Sequence, residues 1–99
     1  MPNPKILIIE DDPAVRHGMT AFLRANDMEV DESDTCQKAT ELFRAGGYDV
    51  VVADYSLPDG TSLDLLPQFK RLSEDTPFII LTAHGSIDLA VRAIKEGAE

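Results

Sequence analysis

Three short apolar runs, each broken off by a polar residue, constrain this chain more than any other feature. Lys5-Ile6-Leu7-Ile8-Ile9 stops at Glu10-Asp11-Asp12, Val50-Val51-Val52-Ala53 stops at Asp54, and Phe78-Ile79-Ile80-Leu81 stops at Thr82. Consecutive β-compatible apolar residues leave no face for solvent, so each run reads as a strand buried on both sides, as in the interior of a parallel sheet. In open α/β sheets, ligands bind in the crevice outside the carboxyl ends of the strands. The acids and the threonine therefore stand where chemistry is expected.

The segments between these runs read as helices. Pro13 suits a first helical turn with Asp12 or Asp11 as N-cap, and Val15, Met19, Phe22 and Leu23 follow at helical spacing to an end near Asn26-Asp27. Met28-Glu29-Val30-Asp31-Glu32 alternates apolar with acidic residues, the pattern of a strand at the sheet edge. Asp34 and Gln37 resemble a capping box for a second helix carrying Ala39, Leu42 and Phe43, which Gly46-Gly47 closes. Ser56-Leu57-Pro58-Asp59-Gly60 reads as a turn, followed by a third helix with Leu63, Leu65, Leu66, Phe69 and Leu72. Pro67 removes one of its backbone bonds and predicts a kink. A last helix starts at Ser86, carries Ile87, Ala90, Val91 and Ile94, and ends at Gly97. Four alternations of strand and helix give the class: α/β, a doubly wound parallel sheet with right-handed crossovers.

Composition limits the partners. Ninety-nine residues make one domain over 1–99, no apolar run is long enough to cross a bilayer, and no signal peptide precedes the first strand. Nine basic against eighteen acidic residues, a formal charge of −9, disfavour direct contact with nucleic acid or an anionic membrane. The single Cys36 excludes an internal disulfide and a cysteine metal cage, fits a reducing cytoplasm, and reads as a packing residue. His17 reads as a helix surface residue, and His84 is too isolated for a zinc site.

If the three apolar strands are parallel neighbours, Glu10-Asp11-Asp12, Asp54 and Thr82 share one crevice. Two unit charges about 4 Å apart repel by on the order of 4 kcal/mol at an effective dielectric near 20. Protonation or a divalent cation must offset this, and an all-oxygen site favours magnesium, with manganese or calcium as substitutes. Such an ion leaves places for phosphate oxygens, and a carboxylate can act as a nucleophile through an aspartyl phosphate. Asp54, alone at its strand end, is the natural acceptor, with Thr82 as a hydrogen-bond donor to a phosphoryl oxygen. Read singly, Asp11 and Asp12 are helix caps, Asp54 begins a loop and Thr82 ends a strand; their conjunction favours the phosphoryl site.

Three segments in order resemble the receiver domain of bacterial two-component response regulators. They are Ile8-Ile9-Glu10-Asp11-Asp12 with Arg16 a turn later, Val52-Ala53-Asp54-Tyr55-Ser56-Leu57-Pro58-Asp59-Gly60, and Ile80-Leu81-Thr82-Ala83-His84-Gly85. The stretch Thr82 to Ala98 is most similar to receivers of the nitrogen-regulation class, the sigma-54 activators. The resemblance implies a flavodoxin-like receiver fold of strand order 2-1-3-4 before a fifth strand. It implies that Asp54 accepts phosphate from a histidine kinase and signals to an output domain in a longer parent chain that regulates transcription. Glu10 and Asp11 would be the acid pair, with magnesium held by Asp11, Asp54 and the backbone carbonyl of Ser56, and Asp12 left as a cap. Thr82 would be the switch hydroxyl, Ala83 would leave access, and Ser56 and His84 would tune phosphate loss.

The resemblance also leads to the expectation that the domain is incomplete at Glu99, before the family's fifth strand, its lysine and its last helix. The Phe78 to Leu81 edge would then favour a dimer, a swapped arrangement or marginal stability. Two other readings stay open: a magnesium-dependent phosphatase with an aspartyl nucleophile, disfavoured by Ser56 two residues after Asp54 where such enzymes carry a second aspartate, and a pseudo-receiver that only binds protein. The receiver reading makes the domain a switch that catalyses at most its own phosphorylation and dephosphorylation.

Overall fold

The computed structural model describes residues 3–81. Strand β1 (Lys5–Ile9) is followed by α1 (Pro13–Ala25), β2 (Glu29–Ser33), α2 (Cys36–Ala45) and β3 (Val50–Asp54). A two-stranded ribbon comes next, β4 (Ser56–Leu57) and β5 (Gly60–Thr61), and then α3 (Ser62–Leu72) and β6 (Phe78–Leu81). The main sheet has the order β2-β1-β3-β6, with every pair parallel. Because the ribbon takes two labels, β6 is the fourth strand of the expected 2-1-3-4 order. The chain reverses its direction of progress between β1 and β3, which opens a crevice at their carboxyl ends.

Alternation along the strands divides the core into two layers. Leu7, Ile9, Val51, Ala53 and Phe78 pack with α2 and α3 through Ala39, Phe43, Leu66 and Phe69. Ile6, Ile8 and Val30 form the opposite layer with Met19 and Leu23 of α1. Helices thus cover both faces, as the continuous apolar runs require. The Phe43 and Phe69 rings stack with centroids 4.1 Å apart, and Phe69 meets Phe78 edge-on at 5.5 Å.

Several local expectations are corrected. The edge strand runs Glu29–Ser33, one residue later than the alternation suggests, because Asp27 adopts φ 63° and the Met28 N–H still bonds to the Leu23 carbonyl. The N-cap of α2 is Thr35, and its hydroxyl oxygen accepts the Lys38 N–H at 3.1 Å; the Asp34 and Gln37 box does not form. The stretch after Asp54 is a paired ribbon with its turn at Pro58-Asp59, not a simple turn. Pro67 stands inside α3 as expected, on its exposed side. In β6 only Phe78 is fully buried, Ile79 and Ile80 are half-buried and Leu81 is exposed, since this strand has a single partner among the described residues. The expected final helix from Ser86 lies outside the described residues. No helix among those described is long and apolar enough to cross a membrane.

Candidate functional site

The acids after β1 divide their work. Glu10 continues the strand pairing through its N–H to the Ser33 carbonyl at 2.9 Å, and its side chain is buried. Asp12 caps α1: its Oδ1 accepts the N–H groups of Ala14 and Val15 at 2.9 and 3.3 Å, ahead of a helix that Pro13 can begin because it needs no N–H partner. Asp11 lies exposed between them. Arg16, one turn into α1, donates from Nη1 to the Glu10 carbonyl at 2.9 Å and lies 3.4 Å from Glu32 through Nε. That clasp holds the acid turn against the end of β2.

Asp54 closes β3, the neighbour of β1. It is half-buried, and its Oδ1 accepts the Tyr55 N–H at 2.9 Å, a donor shared with the Leu81 carbonyl at 2.9 Å. Ser56 follows as the exposed first residue of β4, opposite Thr61. Glu10, Asp11 and Asp54 come together: each offers a carboxylate oxygen, and these atoms lie within 4.8 Å of one another. Asp12, occupied with its cap, is not in the group. Thr82, Ala83 and His84 lie outside the described residues.

Electrostatics record the crowding. Burial pushes the Glu10 carboxyl above its usual range; the Asp12 N–H, which donates to Glu10 Oε2 at 3.3 Å, pulls it down, and the charge of Asp54 and the proximity of Asp11 push it up again. Three hard oxygen donors that repel one another at this range fit a small divalent cation. Elsewhere, His17 sits two-thirds exposed, 3.9 Å from Glu32, as a surface residue. Cys36 is buried with its thiol pushed up to about 12 by burial and then by Asp59 and Asp64, which suits packing rather than reactivity.

Asp59 is the residue that local sequence reading misses. Its two oxygens accept the N–H groups of Cys36 and Gln37 at 2.7 and 3.1 Å, at the start of α2. A pairing over more than twenty residues leaves no periodic signal, and the Asp-Gly after Pro58 reads only as a turn.

Fold and site together define a flavodoxin-like parallel α/β domain with a carboxylate cluster at the switch point of its sheet. The profile of the response regulator receiver domain family matches residues 6–99, and the chain belongs to that family. It is 33% identical over 98 residues to the response regulator protein PilR of Pseudomonas aeruginosa, covering 99% of this chain and 22% of PilR. Against the DNA-binding transcriptional regulator NtrC of Rhizobium meliloti it is 30% identical over 98 residues, covering 99% of this chain and 20% of NtrC. The chain thus spans about a fifth of the length of these two relatives. Among solved structures, the non-phosphorylated HemR receiver domain of Leptospira biflexa superposes with a TM-score of 0.91 at 32% identity, over 97% of this chain and 77% of that one. The expected resemblance to sigma-54 activators of the nitrogen-regulation class is borne out by these relatives.

Proposed function

We propose that this domain, spanning 1–99, is a phosphoacceptor switch of a two-component system, with Asp54 as the acceptor. The observation that carries the reading is the convergence of Glu10, Asp11 and Asp54 within 4.8 Å at neighbouring strand ends of a receiver-family chain. An Asp54 carboxylate oxygen attacks the phosphorus of a phosphohistidine on a partner kinase. The new P–O bond forms as the P–N bond breaks, and the imidazole leaves with a proton from solvent.

Magnesium, or manganese in its place, would be held by Glu10 and Asp11, by Asp54 and by the Ser56 carbonyl, and when bound it supplies positive charge against the acids and the incoming phosphoryl group. The chain's own contribution is orientation. Arg16 and the Asp12 cap fix the acid turn, while the Tyr55 N–H fixes one Asp54 oxygen. Thr82 senses the phosphoryl group in this reading, Ala83 leaves it room, and Ser56 and His84 tune how long it lasts. The output belongs to a longer cytoplasmic parent chain that acts on transcription; the relative NtrC is itself named a DNA-binding transcriptional regulator, and this chain covers only a fifth of it. Phosphorylation then biases an existing equilibrium between two conformations.

Incubation with a small phosphodonor such as acetyl phosphate in magnesium should label the wild-type chain and leave Asp54→Asn unlabelled. Labelling of Asp54→Asn at the wild-type rate would overturn the acceptor assignment. Sustained turnover of a phosphate ester would favour the phosphatase reading, and failure to bind magnesium at millimolar concentration would favour the pure binding module.

A further inference from the structure

The loop that follows the acceptor is anchored to a distant helix. The β4–β5 ribbon has only two residue pairs, Ser56 with Thr61 and Leu57 with Gly60, too few to hold its own position in water. Its placement must come from outside. Leu57 is buried in the core beside α2 and α3, and the Asp64 carboxylate accepts the Thr61 N–H at 3.1 Å at the start of α3. The third anchor is Asp59 at the turn.

Asp59 spreads its carboxylate over the N-terminus of α2, taking Cys36 N–H on Oδ1 at 2.7 Å and Gln37 N–H on Oδ2 at 3.1 Å. Thr35 takes the next donor, Lys38 N–H, so these three early N–H groups of the helix are satisfied, two of them by a residue from another element. Bonds from N–H groups to a charged carboxylate are roughly twice as strong as neutral ones, and the helix end favours the negative charge. These donors hold the Asp59 carboxyl below its ordinary range. The ribbon and α2 also approach closely at Gly60, whose φ is 152° and where a Cβ would come within 3.6 Å of Cys36 Sγ and 3.3 Å of Asp64 Oδ2. Only Leu57 and Pro58 separate this clamp from Ser56.

We propose that Asp59 is a positioning residue for the acceptor site: by clamping the β4–β5 turn to the N-terminus of α2, it fixes the Ser56 carbonyl beside Asp54 and couples cation binding at the acids to α2. This rests on the reading of Glu10, Asp11, Asp54 and Ser56 as magnesium ligands. Asp59 touches neither metal nor phosphoryl group. It acts through the ribbon.

The test is a titration of the isotopically labelled full chain with magnesium chloride, following backbone amide signals. In the wild type, the amides of Tyr55, Cys36 and Gln37 should shift together along one binding curve. Asp59→Ala should weaken magnesium by about tenfold, the lower end of the effect of removing an outer-shell partner, and should uncouple Cys36 and Gln37 from the titration. Asp59→Asn keeps an acceptor oxygen and should recover part of the loss. Wild-type affinity in Asp59→Ala, or Cys36 and Gln37 amides that stay still in wild type while Tyr55 shifts, would overturn this inference alone. No shift at Glu10, Asp11 or Tyr55 in wild type would overturn the magnesium reading and this one with it. Should Asp59→Ala fail to fold, the wild-type amide shifts and the affinity of Asp59→Asn decide.

Discussion

Glu10 and Asp54 end neighbouring parallel strands, and the Glu10 carboxyl, raised first by burial, is raised again by the Asp54 charge. A carboxyl whose folded value lies above its unfolded value favours the fold at low pH, and that contribution is lost as pH rises through the raised value. The cluster therefore costs stability at neutral pH without a cation. Glu10→Gln, which can keep an acceptor for the Asp12 N–H, should stabilise the metal-free chain at neutral pH by about 1 to 3 kcal/mol, the range set by charges at this separation between water and an effective dielectric near 20. Magnesium should raise the wild-type melting temperature more than that of the variant. Thermal unfolding of both, with and without magnesium, checks the sign; a less stable metal-free Glu10→Gln would contradict it.

Arg16 is the one cation that clasps the acid turn among the described residues, through the Glu10 carbonyl at 2.9 Å and Glu32 at 3.4 Å. Its side chain is only 16% exposed, so truncation leaves partners that water reaches poorly. Arg16→Ala should cost about 1 to 3 kcal/mol in urea unfolding. Arg16→Lys should recover little of it, because an ammonium lacks the planar fork that serves both acceptors.

Phe69 is fully buried between Phe43 and Phe78, joining α2, α3 and β6 in one aromatic stack. Phe69→Ala should destabilise the domain by about 3 to 5 kcal/mol through lost burial and the cavity left behind. Equilibrium urea unfolding measures this directly, and a loss under about 1 kcal/mol would mean that the layer collapses around the gap.

What the sequence reveals follows from where each interaction lies. The inner strands are legible because burial on two faces writes an unbroken apolar run, and Asp54 is legible because it ends one. The Pro13 start of α1 and the Gly46-Gly47 end of α2 are legible because caps act within a few residues. Sequence alone leaves Asp11 and Asp12 interchangeable; the bonds from Ala14 and Val15 to Asp12 separate them. The α2 cap is misread because one of its acceptors arrives from Asp59, far along the chain. The exposure of Leu81 is likewise invisible, since it depends on which neighbours flank β6 and not on the composition of the strand itself.

Asp59 also makes an acid-stability prediction with the opposite sign to that of Glu10. Its carboxyl is held below the ordinary 3.8, first by the Cys36 N–H, which burial opposes, and then by the N–H of Gln37. A depressed folded value contributes stability that is present above 3.8 and is lost as pH falls through the folded value. Asp59→Asn cannot titrate, so it should be less stable than wild type at neutral pH, and the gap should close in acid. Urea midpoints of both proteins, measured from pH 7 down to about 2.5, read the gap directly. The wild-type curve should fall toward that of the variant through the acid range, with the Cys36 and Gln37 amides shifting in wild type over the same interval. A gap that persists unchanged to the lowest pH would assign the clamp to shape rather than charge. A gap that closes together with those two amides would identify the Asp59 carboxylate as the group that holds the acceptor loop to α2.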